Sequence, residues 1–95
     1  MNKYFRLQTS DPHVMRYIFV NGKTRACTFF EVNDMDGTTG SVSGTAADEK
    51  NKATGFAWTL VMDIPGMKEP HPYKLKDSDI VYISEEEYLR AVCLL

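Results

Sequence analysis

The alternation of apolar and polar positions along this chain predicts short strands rather than helices over most of its length. From Val14 to Val32, two runs rich in β-branched and aromatic residues flank Asn21-Gly22. Asn and Gly tolerate the positive φ angles of a type I′ turn, so the pair predicts a tight two-residue hairpin. That register sets Val20 opposite Lys23, Phe19 opposite Thr24 and Tyr17 opposite Ala26. One face then carries Met15, Tyr17, Phe19, Ala26, Phe30 and Val32 and is the expected core side. The other carries Arg16, Ile18, Lys23, Arg25, Cys27 and Phe29.

Further strands are expected on either side. Tyr4 to Thr9 alternates until Ser10-Asp11-Pro12 breaks it, because proline lacks a ladder donor. Phe56, Trp58, Leu60, Met62 and Ile64 form one apolar face of a strong strand that Pro65-Gly66 stops. Glu69-Pro70-His71-Pro72 is extended, Tyr73–Lys76 pairs briefly, and Asp79–Ile83 is a further strand. Ser84 with Glu87 makes a capping box for a helix to about Leu95, with Tyr88, Leu89, Val92 and Leu95 on its buried stripe.

Residues 33–55 stand apart. They hold no large apolar side chain except Met35, and four glycines: Gly37, Gly40, Gly44 and Gly55. This stretch reads as a long exposed polar loop, with at most a minor strand at Ser41–Ser43. On that reading, excising part of Asp36–Asp48 leaves the fold intact, since loop-closure entropy varies slowly with length. The expected fold is α+β: one small β-rich domain over residues 1–95. It is an antiparallel sheet or partly open barrel of four to six strands with one C-terminal helix.

Composition narrows the class. With 95 residues, 43% hydrophobic and 25% charged, the chain has the make-up of one folded globular domain. A net charge of −2 argues against generic binding to phosphate backbones or anionic lipid. Two cysteines, Cys27 and Cys93, are too few for a disulfide framework; two reduced, buried thiols are expected, with a single bridge as the alternative. The start of the chain lacks the apolar stretch of a secretion signal, and no apolar run approaches the roughly 18 residues of a membrane span. The expectation is a cytoplasmic protein.

Candidate chemistry is thin. His13 and His71 each stand beside a proline without metal-ligand spacing. Asn33-Asp34-Met35-Asp36-Gly37 fails as a calcium loop, because aligning its glycine puts Val32 and Ser43 where oxygen ligands are required. Gly37-Thr38-Thr39-Gly40-Ser41 lacks the lysine and following helix of a phosphate cradle. Neither cysteine has a visible base beside it. No enzyme activity, cofactor or metal is expected.

Charge does change the picture. Residues 1–32 hold five bases against two acids, and residues 33–95 hold six against eleven. Such polarity suits docking on another protein. The expected function is therefore that of a small non-enzymatic accessory or inhibitor protein, of the kind phage and mobile elements encode. The expected contact set is Arg16, Lys23, Arg25 and Phe29 on the hairpin, with Asp34, Asp36, Asp48 and Glu49 on the loop. The alternative is a sheet that binds single-stranded nucleic acid, stacking bases on Phe29 among the three cations.

Overall fold

The computed structural model describes residues 1–51 and 55–93. Seven strands run in chain order: β1 (Lys3–Leu7), β2 (Val14–Val20), β3 (Ala26–Asn33), β4 (Thr39–Asn51), β5 (Phe56–Asp63), β6 (His71–Lys76) and β7 (Ile80–Tyr82). A helix, α1 (Glu85–Cys93), follows. All neighbours pair antiparallel, in the spatial order β6-β5-β4-β3-β2-β1-β7. The class is as the pattern predicted, but with seven strands instead of four to six.

The sheet curls into a half-barrel. Phe5 on β1 and Trp58 on β5 lie four strands apart in the sheet, yet their rings stack at 5.9 Å. The Trp58 indole Nε1 also donates to the Tyr82 hydroxyl on β7, at 3.1 Å. Inside the curl Phe5, Ile18, Val20, Cys27, Ala46, Trp58, Leu60, Met62 and Ile80 form one core. Its β5 part follows the predicted face from Trp58 to Ile64. Phe56, expected on that face, lies beyond a register shift with Lys74 over its ring at 5.6 Å, and Ala57 packs on the core instead. Cys27 is a free thiol there, donating to the Met62 sulfur at 3.7 Å, and burial pushes its pKa up. The Cys93 side chain lies outside the described residues.

The hairpin exists with a different turn. Asn21 and Ala26 close a four-residue loop, Gly22 to Arg25, through Asn21 N–H to the Ala26 carbonyl at 2.8 Å. Asn21 starts the turn with its side chain, whose Oδ1 accepts from the Lys23 and Thr24 amides at 2.9 and 3.1 Å. Arg25, at φ 64°, takes the left-handed position expected of glycine. Val20 consequently faces Cys27, and Phe19 faces Thr28. The slip of four residues is even, so every side chain keeps its predicted face.

The core side, however, is the opposite one. Ile18, Val20 and Cys27 point into the curl, while Met15 and Ala26 are exposed and Tyr17, Phe19 and Phe30 half-buried on the convex side. Of the expected core set only Val32 is buried. Both hairpin faces are apolar enough to serve, and the choice is made by what lies across the curl, namely Phe5 and the β5 row.

The expected loop at 33–55 is overturned more completely. Only 34–38 turns; Thr39–Asn51 is the longest strand and lies between β3 and β5. Residues 52–54 of that stretch lie outside the described residues. Small side chains are what this position needs, because β4 is clamped on both sides and turns Gly44 and Ala46 toward the core. Excision of 36–48 would remove the middle of the sheet.

Helix α1 lies against the convex face of β1 and β2, where Tyr88 meets Tyr4 at 5.3 Å and Phe19 at 6.2 Å. Leu89, expected on the buried stripe, is largely exposed, and the expected end at Leu95 lies outside the described residues. The predicted cap is present: Ser84 Oγ accepts from the Glu87 amide at 3.1 Å. Ser84→Ala should cost about 1 kcal/mol, read as a lowered urea midpoint. Undocking of the helix would show in the same experiment as a changed environment of Tyr88.

Candidate functional site

Antiparallel order brings the connections 8–13, 34–38 and 64–70 to one end of the half-barrel. The concave side opens there into a cavity of about 290 Å³. Its apolar wall comes from Leu7, Phe29, Val42, Met62, Ile64, Tyr73 and Leu75, with Arg16 and Glu31 as its charged pair. Strand register explains the set. Leu7 sits opposite Arg16, Arg16 opposite Glu31 and Phe29 opposite Val42, so one row of inward positions lines the opening.

Arg16 Nε donates to Glu31 Oε2 at 2.9 Å, and the two side chains are 42% and 46% exposed. A pair this wet contributes little to stability. It places a donor and an acceptor side by side at the edge of an apolar hollow. Among the described residues neither side chain has a second hydrogen-bond partner.

Of its lining Tyr73 is 41% exposed, and at the same end of the barrel Met67 and Met35, in the connections, are 51% and 74% exposed. Met67 belongs to the 63–70 loop, whose own crevice shares Ile64 with the cavity. The connections themselves are acidic, with Asp11, Asp34, Asp36 and Glu69 against Lys68. His13 Nδ1 lies 3.0 Å from Asp34 Oδ1, and the Asp34 amide donates to the His13 carbonyl at 2.9 Å, tying two connections together. The Thr38 hydroxyl, then the Thr38 amide, holds the Asp36 carboxyl below the usual carboxylate range. That charge therefore persists further into acid.

The eight residues expected to make contact separate into two groups. Arg16 and Phe29 line the cavity, and Asp34 and Asp36 lie in the 34–38 connection at the same end of the sheet. Lys23 and Arg25 lie at the far turn, and Asp48 and Glu49 at the far end of β4, where Glu49 accepts from the Thr59 hydroxyl. From Thr39 to Asp48 a strand runs roughly 30 Å, so the two groups occupy opposite ends. Phe29 packs on the core from inside the curl and is not flanked by Lys23 or Arg25. Sequence reasoning passed over Glu31, Val42, Met67 and Tyr73. Glu31 was recoverable, because the four-residue turn puts it opposite Arg16, whereas the two-residue turn puts Cys27 there.

Both sheet edges are poor strand templates. β6 carries Pro72, Lys74 and Lys76, and β7 has three residues. Among the described residues no group of three or more His, Cys, Asp or Glu is placed to hold a metal ion. No helix among them is long and apolar enough to cross a membrane. No family model matches the chain, no curated protein matches it, and no solved structure matches its fold.

Proposed function

We propose that this is a small non-enzymatic accessory or inhibitor protein, and that it docks on a partner protein through the open end of the half-barrel. The observation that carries this reading is an apolar cavity lined by Met62 and the exposed Tyr73, with the Arg16–Glu31 pair at its edge and the exposed Met67 in the adjoining 63–70 crevice. Flexible methionines and a tyrosine around a hollow suit a contact that adapts to another protein surface. Of the expected contact residues, Arg16, Phe29, Asp34 and Asp36 belong to this face. Lys23, Arg25, Asp48 and Glu49 do not. Binding of single-stranded nucleic acid has less support, since Arg16 is engaged by Glu31 and Phe29 packs inside the curl, away from Lys23 and Arg25 at the far turn.

The test compares three tagged proteins in affinity capture from native lysate: the parent, Met67→Ala/Tyr73→Ala, and Lys23→Glu/Arg25→Glu. Both double variants change exposed side chains, and circular dichroism checks that each remains folded. The partner held by the parent should be held equally by the second variant and at least about tenfold less by the first, as removing an interface anchor requires. Equal capture by the Met67/Tyr73 variant would sink the open-end assignment. Strong retention of the parent on a short oligonucleotide at about 50 mM salt would favour the nucleic-acid reading instead.

A further inference from the structure

Three features of the open end constrain what enters it. The first is size: about 290 Å³ lies just below the range of small-molecule sites, roughly 300–1,000 Å³. The half-exposed ion pair at its edge shows that it does not enclose its contents. Space of that kind suits one large side chain rather than a whole organic ligand.

The second feature is the pair itself. Arg16 and Glu31 together are neutral and offer a donor beside an acceptor. A lone carboxylate would have to compete with Glu31 for the guanidinium, and a lone ammonium would have to compete with Arg16. A main-chain amide, neutral and dipolar, meets both without separating them. The third feature is the field. Asp11, Asp34, Asp36 and Glu69 outnumber Lys68 in the three connections at this end, and Asp36 stays ionised through its bonds from Thr38. Positive flanks on the incoming chain are attracted and negative ones repelled.

On these grounds, and resting on the docking reading above, we infer that the partner inserts one leucine-, methionine- or phenylalanine-sized side chain, carried on a short segment with lysine or arginine on both sides. The segment enters through the end and does not add a strand, because Pro72, Lys74 and Lys76 guard the longer edge. Main-chain groups next to the anchor bond to Arg16 and Glu31, and the basic flanks face Asp34, Asp36 and Glu69. Met67 and Tyr73 close over the anchor.

The inference is testable with the intact chain carrying ¹³C-methyl methionine. Met62 lines the cavity, Met67 belongs to the crevice that adjoins it at Ile64, and Met1, beside Gly22 at the far end, is an internal control. The probe is a blocked peptide with one leucine between two pairs of lysines. The comparisons are the same peptide with alanine for leucine, the same with glutamate for every lysine, and the fatty acid decanoate. Leucine–lysine peptide should shift the Met62 and Met67 methyls, leave Met1 in place, and bind at least about tenfold tighter than each comparison ligand. Val42→Phe, which fills the hollow, should weaken it at least about tenfold while the Met1 methyl keeps its position.

Equal binding of the alanine peptide, or shifts centred on Met1, would overturn the inference by removing the anchor. Equal or tighter binding of the glutamate peptide or of decanoate would overturn it by removing the charge argument. So would concentration-dependent self-association abolished by Lys23→Glu/Arg25→Glu, which would make a second copy the occupant. If the peptide series fails while Met67→Ala/Tyr73→Ala still loses its captured partner, the partner chemistry is wrong and the docking reading stands. If capture is also unaffected, both fall.

Discussion

Trp58→Ala should cost roughly 3–5 kcal/mol, the usual range for deleting a large core aromatic. Against a total of about 5–15 kcal/mol for a small domain, that leaves little. The side chain is 3% exposed and stacks on Phe5 at 5.9 Å. Its position makes the loss more than a local void, because Phe5 and Tyr82 reach Trp58 only through the curl of the sheet. Removing the indole empties the space between β5 and the β1–β7 side and abolishes the 3.1 Å bond to the Tyr82 hydroxyl. Trp58→Phe separates the two effects. It keeps a ring against Phe5 and loses the donor, while the half-exposed Tyr82 hydroxyl can turn to water, so the cost should be clearly smaller. Urea unfolding read by circular dichroism measures both. A Trp58→Ala protein with its midpoint near the parent's would show that the curl is held by something other than this contact.

How far the fold could be read from the chain depends on contrast between faces. Phe56 to Ile64 alternates large apolar residues with smaller and polar ones, and its inward row is as predicted from Trp58 to Ile64 but not at Phe56, beyond the register shift. The hairpin has apolar residues on both faces, so the strands could be placed but the core side could not. Phe19 looks as buriable as Ile18, and the difference arises because Phe19 meets α1 from outside while Ile18 meets the interior. Turn chemistry misled in a specific way. Asn-Gly favours a two-residue loop, but Asn21 caps a longer one with its side chain, and Gly22 faces the chain start, where a Cβ would lie 2.1 Å from the Met1 carbonyl oxygen. The register error that followed hid the Arg16–Glu31 pair, and with it the polar edge of the cavity.

The rest of the open end was hidden for a different reason. Leu7, Val42, Met62 and Leu75 are ordinary inward positions on four strands, and nothing local distinguishes the one row that is left uncovered. That row follows from where the sheet stops curling, a property of all six strands that line the cavity. The acidic connections, by contrast, were visible as composition. Asp34 and Asp36 enter the expected contact set on charge alone, and the structure puts them at the same end of the sheet as Arg16 and the cavity. Asp48 and Glu49 were grouped with them because 33–55 was read as one loop. Once β4 runs straight through that stretch, its two ends are separated by the length of the strand.

β4 itself leads to the sharpest expectation on stability: Gly44→Ala should be far more damaging than an alanine elsewhere on the same strand. Gly44 pairs with Cys27 on one side and Met62 on the other. A Cβ there would stand 2.1 Å from the Val61 carbonyl oxygen and 2.9 Å from the Met62 Cα. Those atoms are backbone, so no rotamer change relieves the clash, and β4 and β5 must separate where Leu60 and Met62 complete the core. The cost should reach or exceed about 3 kcal/mol, the upper end of ordinary overpacking, and Gly44→Val should be no better tolerated. Gly40, the second residue of the strand, is the control, since a Cβ there meets nothing within 4 Å. Gly40→Ala should be neutral or stabilising by up to about 1 kcal/mol, because alanine restricts the unfolded chain without straining the folded one. Equal urea midpoints for the two alanine variants would mean that β4 is not clamped against β5 at Gly44. A large gap between them would show why a strand this poor in apolar residues occupies the middle of the sheet: a bulkier one would not let its neighbours approach.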